Sequence, residues 1–84
     1  MTEEDNRVAL IGVIVENPDS VKDLNMVLHD FREWIIGRMG IPYRAKQVNI
    51  ICLAVDASTD TINALCGRIG RLPGVTARAT YSQK

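Results

Sequence analysis

Aromatic residues are scarce in this chain: one phenylalanine, one tryptophan and two tyrosines among 84 residues. That is too little ring surface for a platform on which single-stranded nucleic acid stacks its bases. There is one histidine, His29, and there are two cysteines, Cys52 and Cys66, with no C-x-x-C. A metal held by His29 would therefore need ligands from another chain, a disulfide framework is not indicated, and buried free thiols are expected. The same inventory offers no nucleophile, base and orienting acid at a recognisable spacing, so an enzyme is not expected. Long apolar runs are missing too. The longest, Val8 to Val15, includes Gly12 and falls far short of the roughly 20 residues of a membrane-spanning helix. The start, Met1-Thr2-Glu3-Glu4-Asp5, is acidic where a secretory signal is basic, and a cytoplasmic location is expected.

What is present fits one small globular domain, with 46% hydrophobic and 24% charged residues. A short acidic N-terminal segment, residues 1–6, precedes a single domain over residues 7–82. The net charge of zero conceals two unlike halves. Residues 1–33 carry eight acids against three bases, and residues 34–84 carry two acids against seven bases. Such halves can attract one another between subunits, or the basic half can face an anion.

Arg7 to Glu16 has the β-branched, nearly all-apolar character of a buried strand. Asn17-Pro18-Asp19-Ser20 follows as a helix start, with Asn17 as cap and Pro18 where a missing N–H costs nothing. Val21, Leu24, Leu28 and Phe31 then recur at helical spacing. The helix is expected to stop near Glu33 or Trp34. A second strand is expected over Ile35–Ile41, its glycines giving close backbone approach, then a turn over Pro42–Gln47 and a third strand over Val48–Asp56. Ser58-Thr59-Asp60-Thr61 opens a second helix with the stripe Ile62, Leu65, Ile69 and Leu72, closed by Pro73-Gly74. Val75 to Tyr81 alternates as a half-exposed fourth strand. The order βαββαβ, in two similar halves about 40 residues apart, predicts an α+β, ferredoxin-like fold. Its antiparallel sheet would run in the order 4-1-3-2 with both helices on one face.

Helices on one face should leave the central strands alternating, yet strands one and three are apolar at both parities. Something is expected to cover the second face, and a second copy of the chain is the simplest cover: a homo-oligomer, at least a dimer. Both parities being apolar, the sequence leaves open whether Ile11 and Ile51 or their neighbours point outward. Arg38 on strand two and Thr76, Arg78 and Thr80 on strand four are expected to form a polar rim. Strands one and three carry no aromatic residue, which excludes base stacking on the sheet and with it direct nucleic-acid recognition.

The least generic stretch is Gly37-Arg38-Met39-Gly40-Ile41-Pro42-Tyr43-Arg44. Arg38 and Arg44 offer forked donors to a carboxylate or phosphate, Tyr43 a planar cover and Gly40 open backbone. These four are the candidate ligand-binding residues, for a small anionic ligand or a partner protein at a subunit interface. The alternative is a bulged edge strand with solvated arginines, in which Gly40→Val would harm folding by crowding. The run is superficially similar to the glycine loop of acylphosphatases, but that loop joins the first strand to the first helix, where this chain has Asn17-Pro18-Asp19-Ser20. Gly67-Arg68-Ile69-Gly70-Arg71-Leu72-Pro73-Gly74 lacks the Lys-Ser/Thr of a phosphate loop and reads as helix termination and backbone packing. The residues name no cofactor and no metal site.

Taken together, Ile36-Gly37-Arg38-Met39-Gly40-Ile41-Pro42-Tyr43, Val55-Asp56-Ala57 and Leu65 to Val75 resemble the small regulators of the iron-only hydrogenase system. The resemblance runs from about Arg7 to Ser82. It implies an ACT-like ferredoxin fold similar to the regulatory domain of the nickel-responsive repressor, and a cytoplasmic regulatory role. Two departures follow from this sequence: Cys52 is the one cysteine or histidine in the sheet region, so nickel binding is not expected, and with about six residues before the first strand no DNA-binding arm is expected.

Overall fold

The structure, a computed structural model, describes residues 5–84, so most of the acidic N-terminal segment lies outside the described residues. Four strands and two helices follow in the order βαββαβ: β1 (Asn6–Val15), α1 (Val21–Asp30), β2 (Ile35–Tyr43), β3 (Val48–Ser58), α2 (Thr59–Gly70) and β4 (Val75–Tyr81). The sheet order is β2-β3-β1-β4 with every neighbouring pair antiparallel, the expected 4-1-3-2 arrangement read from the other edge.

Both helix starts follow local chemistry. Asp19 N–H donates to Asn17 Oδ1 at 3.0 Å, opening one 3-10 turn, Pro18–Ser20, that leads into α1. At α2, Thr61 N–H donates to Ser58 Oγ at 3.1 Å. Each satisfies a donor that a helix start otherwise leaves orphaned. α1 ends at Asp30 and a 3-10 turn, Arg32–Trp34, delivers the chain to β2.

Both helices bury their stripes on one face of the sheet. Leu24, Val27 and Leu28 of α1 and Ile62, Leu65 and Ile69 of α2 meet Ala9, Ile11, Val13 and Val15 of β1 and Ile51, Leu53, Val55 and Ala57 of β3. Ile11 and Ile51 therefore point inward, and the outward parity is Val8, Leu10, Gly12, Ile14 on β1 with Ile50, Cys52, Ala54 on β3.

Several sequence expectations need correction. β2 runs on through Pro42 and Tyr43, and β3 through Ser58, because antiparallel pairing continues to Tyr43↔Val48 and Asn6↔Ser58. Arg38 does not belong to the rim of the open face: it pairs with buried Leu53 and so shares the helix-facing side. The glycines of β2 involve no close approach within the chain. A Cβ at Gly37 would meet nothing within 4 Å, and one at Gly40 only Ile51 Cγ1 at 3.9 Å, ordinary contact, so crowding at Gly40 is not supported. Gly67 and Gly70 likewise lie within α2 without tight neighbours; the glycine that matters is Gly74. Its φ is +69°, and an added Cβ would fall 2.8 Å from Asn17 Cβ. Two bonds fix that turn to the β1–α1 connection: Glu16 N–H to Gly74 O at 2.7 Å, and the Ser20 hydroxyl to Pro73 O at 2.6 Å.

Candidate functional site

The sheet presents its second face without cover. Rows run across it from edge to edge: Met39, Cys52, Gly12 and Arg78 in one, Ile41, Ile50, Ile14 and Thr76 in the next. Val8, Leu10, Ile14, Met39, Ile41 and Ile50 are 40 to 61% exposed. Polar groups lie along the β4 side, Thr76, Arg78 and Thr80, and at Asp56 beside Val8. The patch arises because β1 and β3 are apolar at both parities while the helices cover only one.

The candidate ligand residues fall into two places. Arg38 and Gly40 face α1, whereas Tyr43 and Arg44 lie at the far end of β2 in a recess of about 410 Å3 with Glu16, Pro18 and Asn49. The four thus do not form one cluster. Between α1 and β2 lie two adjacent recesses of one groove, about 500 and 260 Å3, which share Asn25 and Arg38 as lining residues. Its existence follows from β2: a strand facing a helix ordinarily fills that side with apolar bulk, and here the inward positions include Arg38 and Gly40. Asn25 and His29 on α1 and Arg32 in the 3-10 turn that follows it complete the polar wall; the stripe reading passed over them, although their four-and-three spacing was the signal.

Cys52 is half-buried in the open face and Cys66 half-buried on α2; both are free thiols. Burial pushes the Cys66 thiol above its ordinary value, which lowers its thiolate fraction at neutral pH. Among the described residues no group of three or more His, Cys, Asp or Glu side chains is placed to hold a metal ion, and no helix is long and apolar enough to cross a membrane.

Comparison with known proteins places these features. A family model, TM1266-like, described as "Iron-only hydrogenase system regulator, putative", matches residues 7–79. Among solved structures, the uncharacterized protein TM1266 from Thermotoga maritima is 30% identical, with a TM-score of 0.89 over 93% of this chain and 99% of that one. The C-terminal domain of the MgtC protein from Mycobacterium tuberculosis superposes with a TM-score of 0.74 at 11% identity, covering 99% of this chain and 95% of that chain. A formyltetrahydrofolate deformylase from Pseudomonas putida matches at 0.65 and 12% identity, over 92% of this chain but only 29% of its own. The last two share the fold alone. No curated protein matches the chain. With the family model spanning nearly all of the βαββαβ unit, the chain belongs to the TM1266-like family of iron-only hydrogenase system regulators.

Proposed function

We propose that the protein is a non-enzymatic, cytoplasmic regulatory module of the iron-only hydrogenase system, built as one domain over residues 7–82 and working as a homo-oligomer joined through the open sheet face. Binding of a small anionic ligand or a partner protein, with Arg38 and Gly40 in the groove beside α1 or Tyr43 and Arg44 in the recess at the end of β2 as contacts, would then be read out as a change in assembly. A purely structural interaction module without a ligand is the competing reading.

The observation that carries the proposal is the uncovered face, with Val8, Leu10, Ile14, Met39, Ile41 and Ile50 all exposed. Monomeric soluble proteins seldom leave so continuous an apolar patch in water. Four strands spaced about 4.8 Å and seven residues rising about 3.4 Å give a flat footprint of roughly 460 Å2 per copy. Side-chain relief raises this toward the roughly 500 Å2 per partner of a small specific interface. A second copy suits the face because a two-fold rotation sets its apolar centre against the same apolar centre.

Sedimentation at micromolar concentration tests the assembly, and a clean monomer would sink it. A ligand acting through the junction should shift the sedimentation profile, while the purely structural reading expects no shift with any small molecule.

A further inference from the structure

We infer that the groove between α1 and β2 is a binding site for a small carboxylate with an apolar body and no ammonium group. This deepens the ligand part of the proposed function, to which it assigns a place and a chemical class.

α1 carries its polar groups on two sides. Asp23 and Asp30 face α2, where Arg68 and Arg71 lie beside them, and Arg68 Nη2 donates to Asp30 Oδ2 at 3.0 Å. Asn25, His29 and Arg32 face β2 and the groove. Among the described residues no Asp or Glu lines either part of the groove. Arg32 already donates to His29 O at 2.9 Å, whereas Arg38 makes no hydrogen bond or ion pair with any described residue. Arg38 is exposed, it lies on the helix-facing side of the sheet, and with no partner among the described residues its guanidinium fork is free to take a planar anion.

The floor decides what else the ligand must be. Leu24, Leu28, Ile35 and Ile51 form it, and Gly40 supplies no side chain to fill the space above. Inorganic phosphate would leave that surface unused, while a branched or aromatic hydrocarbon chain would cover it. Volumes of about 500 and 260 Å3 suit a ligand of that size. An α-amino acid would bring an ammonium into a wall of arginines with no carboxylate to receive it, so the site should discriminate against zwitterions.

The test uses pairs that differ only in the ammonium: 4-methylpentanoate against leucine, and 3-phenylpropanoate against phenylalanine. Each is titrated into the 84-residue protein with amide shifts of residues 35–41 as readout. Saturable shifts are expected for the two acids, with the amino acids at least tenfold weaker. Arg38→Gln should weaken the acids roughly tenfold or more, the scale of a charge-assisted pair, whereas Arg78→Gln on the opposite face should leave them unchanged. Gly40→Leu, which fills the groove, should abolish binding with native amide shifts elsewhere. Absence of saturable binding, equal binding within a pair, unchanged affinity in Arg38→Gln, or full competition by equimolar inorganic phosphate would each overturn the inference. Sedimentation of the same samples separates the two proposals: an oligomer that binds no acid defeats only the groove, and a monomer that binds defeats only the assembly.

Discussion

Ile11 and Leu10 are chain neighbours of nearly equal hydrophobicity, yet Ile11 is 0% exposed beneath the helices and Leu10 is 50% exposed on the other side of the same sheet. The contrast repeats along β3, where Leu53 is fully buried and Ile50 faces water. Composition therefore does not separate the two faces; the side on which α1 and α2 land does. One face is a completed core and the other an apolar surface without cover, so stability is expected to reside in the first and, in the proposed assembly, association in the second.

The sharpest way to break that contrast is to put the same charge on each side. Ile11→Asp buries a carboxylate with no partner, costs several kcal/mol, and should leave the protein unfolded by circular dichroism. Leu10→Asp, one residue away, should keep the native spectrum and sediment as a monomer. If both variants unfold, or both assemble, the two faces are not functionally distinct.

Glycines offer a second contrast. Gly74→Ala should destabilise by about 1–3 kcal/mol in urea unfolding, because the left-handed backbone and the 2.8 Å approach to Asn17 Cβ both oppose a side chain. Gly12→Val, on the open face with nothing within 4 Å, should change subunit stability little and act on association instead.

The thiols sharpen the comparison by reactivity. At pH 8 iodoacetamide should modify Cys52 before Cys66, since burial raises the Cys66 thiol, and raising the protein concentration should slow only Cys52 if the open face is covered by a second copy. A raised folded value means the folded state holds the Cys66 proton more tightly. That contribution is full below the ordinary thiol value of 9.0 and is lost as pH rises through the folded value. Alkaline destabilisation beyond about pH 9 should accordingly be shallower in Cys66→Ala, which equilibrium unfolding at pH 8 and 10 would show.

The smallest effect is expected at the helix pair. Arg68 reaches Asp30 and lies 5.5 Å from the Phe31 ring centroid, but both charged groups are well exposed, so Arg68→Ala should lower stability by no more than about 1 kcal/mol.

Much of this architecture was legible in the residues. The apolar periods of two and of three to four marked the strands and helices, Asn17 and Ser58 marked the helix starts, and apolarity at both parities of β1 and β3 marked a sheet whose second face would lack a polar surface. These signals are local or periodic, and they survive without knowledge of what lies across from them. Which parity points inward was not legible, because Ile11 and Leu10 satisfy either side equally. Nor was the face taken by Arg38 and Gly40: a strand sends alternate residues to opposite faces, but the bulge between Ile35 and Gly37 resets the count and only the pairing with β3 reveals the register. Asn25, His29 and Arg32 looked like one more exposed stretch of an amphipathic helix until β2 came to lie beside them without side-chain bulk at Gly40. The sequence determined the elements and their order through spacing; the tertiary structure alone decided which residues share a groove, because that depends on contacts between segments far apart in the chain.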